Sequence, residues 1–191
     1  MNALRSKRLL VLDGLPGRGK TTALEFIESL SPVAGILPKL RTGGRVPTAG
    51  EFTADHVRLT DGEFDRHAAS SDFYAYRFGA DRYGFHAADL YGLLESVRVA
   101  AVVVRNTGLI RRLQDELTAI DVVPVLVTAP LHLIRERLED NATTIRRLAR
   151  EAEFIADFDP TLYQAVLRND RSRASFEGAL RDLVTTAAVA A

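Results

Sequence analysis

A chain of 191 residues can bury one good hydrophobic core, so a single domain with room for a small insertion is expected. Lys and Arg total 25 and Asp and Glu total 25, a formal net charge of zero that argues against a general nucleic-acid binder with its net basic footprint. There is no cysteine, which excludes disulfides and thiolate metal sites, and no apolar run approaches the ~20 residues of a bilayer span; a cytoplasmic protein with no membrane partner is expected.

The opening MNALRSKRLLVLDG has an apolar patch too short for a signal-peptide core, and Arg8 to Asp13 reads as a buried first strand. It runs into Gly14-Leu15-Pro16-Gly17-Arg18-Gly19-Lys20-Thr21-Thr22, which fills the phosphate-binding template G-x-x-x-x-G-K-[ST]. Gly14, Gly17 and Gly19 let the backbone turn tightly so that its N–H groups face a phosphate chain. The helix opening at Lys20 adds its positive dipole end. Lys20 is placed to reach the β- and γ-phosphates, and the Thr21 hydroxyl to hold Mg²⁺. A chance match in a chain this long is on the order of one per cent. The loop therefore points to a nucleoside triphosphate, ATP with Mg²⁺.

The first helix is expected over Lys20 to Leu30, with Pro32 closing that region. A second strand is expected within Val33 to Leu40, although Gly35 and Pro38 interrupt it. From 41 onwards the character changes: a Gly-, Thr- and Pro-rich stretch precedes DHVRLT, which alternates as an exposed strand. DGEFDRHAAS reads as a short helix capped by Asp61, and FYAYRF as another strand. This reads as an insertion, 41–98, in a core made of 1–40 and 99–191. The α/β rhythm then returns. AADLYGLLESV is helical, Val99 to Val104 is a fully apolar strand, LIRRLQDELTAI is an amphipathic helix, and Val122 to Val127 is a strand containing Pro124. Arg-rich helical sequence follows, then a last strand in YQAVLRND and a last helix from Ser175. Alternating strands and helices argue for a parallel sheet covered on both faces, with the ligand at the carboxyl ends of the strands. Those ends carry Asp13, Arg105, Asn106, Thr128 and Asn169. His56, His67, His86 and His132 show no metal-ligand spacing and read as isolated residues.

The order of these features resembles guanylate kinase and its relatives over nearly the whole chain. Arg45-Val46-Pro47-Thr48-Ala49-Gly50-Glu51 matches that family's Arg-x-Pro-Arg-x-Gly-Glu signature with Thr48 in place of the second Arg. Tyr83-Gly84, the apolar strand after it, Arg137-Leu138, Ile145-Arg146-Arg147 and Asn169-Asp170 follow in the family's order. FYAYRFGADRYGF and DHVRLTDGEF are also similar to stretches of ribose 1,5-bisphosphate phosphokinase, a member of the same group. The resemblance implies a P-loop NTPase three-layer α/β sandwich with a parallel central sheet and a small acceptor-binding insertion. It implies a lid at about 137–147 and transfer of the ATP γ-phosphoryl group to a phosphorylated nucleotide or sugar phosphate. Four departures imply an altered acceptor pocket. Thr48 replaces an arginine, Tyr74 stands near the family's acidic guanine-reading position, Arg105 and Asn106 stand where the central strand ends in acids, and Asn141 stands near the lid's second arginine.

Roles follow for particular residues. Phosphoryl transfer needs cations between two anions. Arg41 and Arg45, read as lying in a glycine-rich loop without helical partners, are expected to grip the acceptor's anionic group, with Glu51, Tyr74 and Tyr83 beside it. Arg137 and Arg146 are expected to close over the triphosphate. Arg105 is expected either to bind the acceptor or transferring group or to form a salt bridge with Asp13. Asp13 is expected to orient Mg²⁺ or take a proton, or else to be a structural turn carboxylate. Asn169 is expected at the nucleotide. A monomer or homodimer is expected. Two further classes stay open: a non-catalytic interaction module, against which Lys20 and Thr21 argue, and a nucleotide switch, against which the lack of a strand ending in an acid argues.

Overall fold

The computed structural model describes residues 7–43, 52–130, 132–134 and 159–186. In chain order the elements are β1 (Arg8–Asp13), α1 (Lys20–Glu28), β2 (Ala34–Ile36), β3 (Lys39–Arg41), β4 (His56–Arg58), α2 (Asp61–Ala68), β5 (Phe73–Phe78), β6 (Asp81–His86), α3 (Ala87–Ser96), β7 (Val99–Val103), α4 (Thr107–Glu116), β8 (Asp121–Thr128), a 3₁₀ turn (Pro160–Leu162), β9 (Ala165–Arg168) and α5 (Arg173–Thr186). The fold is α/β. A five-stranded, wholly parallel sheet has the order β2-β7-β1-β8-β9.

Leu9 to Leu12 of β1 and all of β7 are apolar without alternation because the sheet is covered on both faces. Alternate residues of β1 and β7 feed separate cores. Leu9, Val11, Ala100 and Val102 pack with α3 and α4 through Leu90, Leu94, Ile110 and Leu113. Leu10, Leu12, Ala101 and Val103 pack on the other face with Leu24 and Ile27 of α1 and Phe176 and Leu180 of α5. Pro124 is tolerated inside β8 for a geometric reason. Its carbonyl accepts the Gln164 N–H on the β9 side, so its missing N–H faces the same side, ahead of where β9 begins. No helix among the described residues is long and apolar enough to cross a membrane.

The second strand expected over Val33 to Leu40 is two strands in two sheets. β2 pairs with β7, and its last link is the Leu37 N–H to the Ala101 carbonyl. Pro38 breaks the run, and β3 then enters a separate sheet of order β4-β3-β6-β5. In that sheet β3 is parallel to β4 and antiparallel to β6, and β5 and β6 form a hairpin closed at Gly79, φ 59°. The small sheet thus begins at Lys39, ahead of the boundary expected at 41. β6 was not among the expected strands, because Asp81, Arg82 and Gly84 break the apolar alternation that identifies β5.

The cap of α2 is Thr60 rather than Asp61. Thr60 Oγ1 accepts the Glu63 N–H while Glu63 accepts the Thr60 N–H at 2.8 Å, a reciprocal capping box. Asp61 instead sits in the first turn, where it and Asp65 bind Arg82 at 3.1 and 2.6 Å. Nor are the histidines all isolated: His67 Nδ1 and His86 Nε2 lie 2.9 Å apart, and His86 Nδ1 contacts Asp72 at 3.0 Å, tying α2 to β6. Among the described residues no group of His, Asp or Glu is arranged to hold a metal.

The hairpin depends on Gly84, where a Cβ would sit 2.4 Å from Phe73 Cζ and 2.9 Å from the Tyr74 carbonyl oxygen. Gly84→Ala is expected to lower stability by about 1–3 kcal/mol in urea denaturation. An unchanged midpoint would mean that the Phe73 ring moves aside without cost.

Candidate active site

β1 delivers the chain to the carboxyl edge of the parallel sheet, where the glycine-rich turn begins. Gly14, Gly17 and Gly19 have φ of 129°, 78° and 105°, a region costly for other residues. Two of them are also pressed from outside. A Cβ on Gly14 would lie 2.3 Å from the Val127 carbonyl oxygen, and one on Gly19 would lie 2.3 Å from Asn169 Nδ2. Gly19 is the N-cap of α1, no side chain caps that helix, and no acid stands in its first turn. Its leading N–H groups are therefore left to an anion.

The Lys20 ammonium is folded back into the loop, donating to the Gly14 and Leu15 carbonyls at 2.5 and 2.7 Å. Burial, and then the positive charge of Arg105, pushes Lys20 well below the usual lysine range. A phosphate oxygen at the helix end would offer this cation a charged partner in place of two carbonyls. Leu15, Pro16, Gly17 and Arg18 are half-buried along the turn, Thr22 is half-buried, and Thr21 is exposed in the first turn of α1. This donor set fits a triphosphate, and the open Thr21 hydroxyl fits Mg²⁺.

Asn169 braces the loop. At the end of β9 its backbone N–H bonds the Thr128 carbonyl at 2.7 Å, and Nδ2 donates to the Arg18 carbonyl at 3.1 Å. Asp13 is likewise committed: Oδ1 accepts the Gly14 N–H at 2.6 Å and Oδ2 accepts the Tyr163 hydroxyl at 2.7 Å. Of the roles expected for Asp13, the structural turn carboxylate matches this geometry. Burial raises its carboxyl above the ordinary range, against the pull of Tyr163, Gly14, Lys20 and Arg105. Tyr163 carries no motif in the sequence, since it stands 150 residues from its partner. In Tyr163→Phe the Asp13 carboxyl is expected to rise further. A raised folded-state value costs stability as pH rises through the window above 3.8, so the variant should lose about 1–2 kcal/mol more than the parent between pH 4 and pH 7. Equal losses measured by denaturant titration would show that the bond does not hold Asp13.

A second cluster lies at the end of β7. The Val103 carbonyl faces the side where β2 has already ended, and Lys39 Nζ and the Tyr76 hydroxyl take it at 3.0 and 3.1 Å. Tyr76 stacks on Tyr83 with ring centroids 5.3 Å apart, and the Tyr83 ring has Lys39 Nζ at 5.6 Å and the Arg41 guanidinium at 5.4 Å. Arg41 is not an unpartnered loop arginine: it lies in β3 and binds Asp81 at 2.9 Å, and Asp81 also accepts the Tyr83 hydroxyl at 3.2 Å. Arg105 stacks on Phe78 at 4.2 Å, and among the described residues it makes no ion pair with Asp13. Its charge nevertheless reaches Lys20, Lys39, Asp13 and Tyr83, which places it between the loop and the small sheet.

Tyr74 stands apart from this group. It is 5% exposed, packs on Phe85 at 5.5 Å under Arg112, and belongs to the core; burial, then Glu116, pushes its phenol up to about 12. Arg45, Thr48 and Glu51, and Arg137, Asn141 and Arg146 of the expected lid, lie outside the described residues. The expectations missed Lys39, Asp55 and Asp81. The one available signal was that Lys39 is one of only three lysines in a chain whose Lys and Arg total 25.

Among solved structures, the chain superposes on guanylate kinase from Anaplasma phagocytophilum with a TM-score of 0.67 at 16% identity, covering 97% of this chain and 88% of that one. A sugar kinase from Janibacter sp. matches with a TM-score of 0.45 at 15% identity over 97% of this chain and 99% of that one. The tunicamycin resistance protein of Deinococcus radiodurans matches with 0.43 at 15% identity over 93% and 95%. The first likeness establishes the fold; the other two are too loose to carry an argument. No protein-family model and no curated protein matches the chain.

Proposed function

We propose that this protein is an ATP-dependent kinase that moves the γ-phosphoryl group of ATP to a small molecule already carrying a phosphate. The carrying observation is the pairing of two features at the carboxyl edge of the parallel sheet. A glycine turn with a buried lysine opens α1, the charges of Arg105 and Lys39 act on that lysine, and Arg41 stands beside Lys39 over the Tyr83 ring. Two anions must approach each other for phosphoryl transfer, and cations on both sides of the reacting group lower that repulsion. In this reading the loop N–H groups and Lys20 hold the donor phosphates, and Arg105 faces the transferring group. Bound at Thr21, Mg²⁺ would supply neutralising charge to the phosphate oxygens. Arg45 and Glu51 would hold the acceptor, and Arg137 would close over the donor.

A guanylate kinase shares the fold, which favours a nucleotide monophosphate as acceptor. Tyr74 in the core and Arg105 at the end of β7 favour a pocket rebuilt for another phosphorylated molecule. An ADP-release assay with ATP and Mg²⁺ separates these. The panel is GMP, dGMP, AMP, UMP, CMP, ribose 1,5-bisphosphate, and unphosphorylated nucleosides and sugars. Turnover with GMP selects the first pocket, and turnover with ribose 1,5-bisphosphate or another sugar phosphate selects the second. Silence with every phosphorylated acceptor would sink the kinase reading.

A further inference from the structure

Asp55 leads directly into β4, and His56, its first residue, is the register partner of Lys39 in the parallel pair β3-β4. Register partners point to one face of a sheet. Lys39 turns that face to the carboxyl edge of the parallel sheet, where its ammonium donates to the Val103 carbonyl at 3.0 Å. His56 therefore stands on the side of the small sheet that meets the end of β7. The Tyr76 hydroxyl takes the same carbonyl, and its phenol feels the charges of Arg105, Asp13 and Asp55 together. Asp13 holds the Gly14 N–H, so Asp55 and the start of the glycine turn share one neighbourhood.

His56 Nδ1 lies 2.7 Å from Asp55 Oδ1, and Asp55 Oδ2 lies 3.6 Å from the Lys39 ammonium. Burial pushes the Asp55 carboxyl up, but the His56 bond and the Lys39 charge prevail and hold it below the ordinary range, so it is ionised at neutral pH. An ionised carboxylate only accepts hydrogen bonds, so the proton between the two groups belongs to Nδ1. The neutral ring then carries its lone pair on Nε2, which makes no hydrogen bond among the described residues. The side chain keeps 14% of its surface open, an approach for a ligand at an otherwise enclosed ring. An imidazole oriented through Nδ1 by a carboxylate, with Nε2 left over, is equipped to take a proton.

We propose that His56 is the general base of the phosphoryl transfer, with Asp55 as its positioning residue, and that the acceptor presents a hydroxyl to the γ-phosphorus. This deepens the kinase reading above and rests on it. A phosphate oxygen used as nucleophile is already ionised near neutral pH and has no proton to give, so a base would do nothing for it. A hydroxyl must lose its proton as it attacks. The hydroxyl oxygen bonds the γ-phosphorus, the bond from that phosphorus to the β-bridging oxygen breaks, and ADP leaves with the electron pair. The hydroxyl proton passes to His56 Nε2 and later to water. The products are ADP and a phosphate ester. The substrate class is thus a phosphorylated molecule with a free hydroxyl, such as a sugar phosphate or a nucleotide reacting at its ribose.

Two measurements on the intact protein test this. The first reads the tautomer of the neutral His56 ring from the nitrogen NMR shifts of its two ring nitrogens, and the proton should sit on Nδ1. A proton on Nε2 overturns the base, since that nitrogen then has no lone pair to offer. The second takes the ADP-release panel above, with ribose 5-phosphate and glucose 6-phosphate added, and identifies each product by phosphorus NMR. The transferred group should appear as a phosphate ester. In His56→Asn, whose amide can still donate to Asp55, kcat should fall at least about 100-fold while the KM for ATP and the urea midpoint hold. A product joined through P–O–P overturns the base and leaves the kinase reading in place, and so does a folded His56→Asn that keeps its kcat. Where the variant fails to fold, the tautomer and the product bond of the parent protein decide. Silence across the enlarged panel sinks the kinase reading and the base with it.

Discussion

Lys20→Ala is expected to lower ADP release with a productive acceptor by about 10²–10³-fold or more, the scale seen when one preorganised donor to a developing oxyanion is removed. It should also abolish ATP binding as read by melting. In the parent protein, ATP with Mg²⁺ at about a hundred times Kd adds about 2.7 kcal/mol, or about 5–10 °C for a chain of this length. The reason lies in what Lys20 does before any phosphate arrives. Lys20 is 8% exposed, and its ammonium donates to two backbone carbonyls of the loop it must serve. A buried cation facing neutral acceptors is held at a cost that a phosphate oxygen relieves. The variant should therefore keep its fold while losing its ligand. Retained turnover, together with a retained ATP shift in melting temperature, would mean that the loop is a structural turn.

Lys39→Met is expected to behave in the opposite way and stabilise the protein. Lys39 titrates at about 8 in the fold against 10.5 in the unfolded chain, so folding at neutral pH buries a charge that the interior resists. A shift of that size corresponds to about 3 kcal/mol. The unfolded chain holds the proton up to higher pH than the fold does, so parental stability should rise as pH goes from 8 to 10.5. Methionine fills similar volume without charge, and the Tyr76 hydroxyl still caps the Val103 carbonyl. At pH 7 the variant should gain about 1–3 kcal/mol in urea denaturation, a margin that shrinks above pH 8. A loss at pH 7 that does not change with pH would instead make Lys39 a structural cap for β7.

Local pattern determined a large part of this molecule. Leu9 to Leu12 and Val99 to Val103 are apolar without alternation, and only a strand buried on both faces accounts for that, so the parallel sheet was legible. Gly14, Gly19, Lys20 and Thr21 carry their meaning in fixed spacing, because backbone geometry over a few residues is all that a phosphate turn requires. The tertiary structure decided the rest. Pro38 divides one expected strand between two sheets, a choice made by pairing with β7 on one side and β6 on the other. The hydroxyl on Asp13 comes from Tyr163. Lys39, Asp55 and Asp81 look like ordinary surface charges in the chain. They become a cluster only because β3, β6 and the end of β7 are brought together. Partners so far apart in sequence leave no periodic trace, and burial, the property that makes these charges consequential, exists only once the sheets have packed.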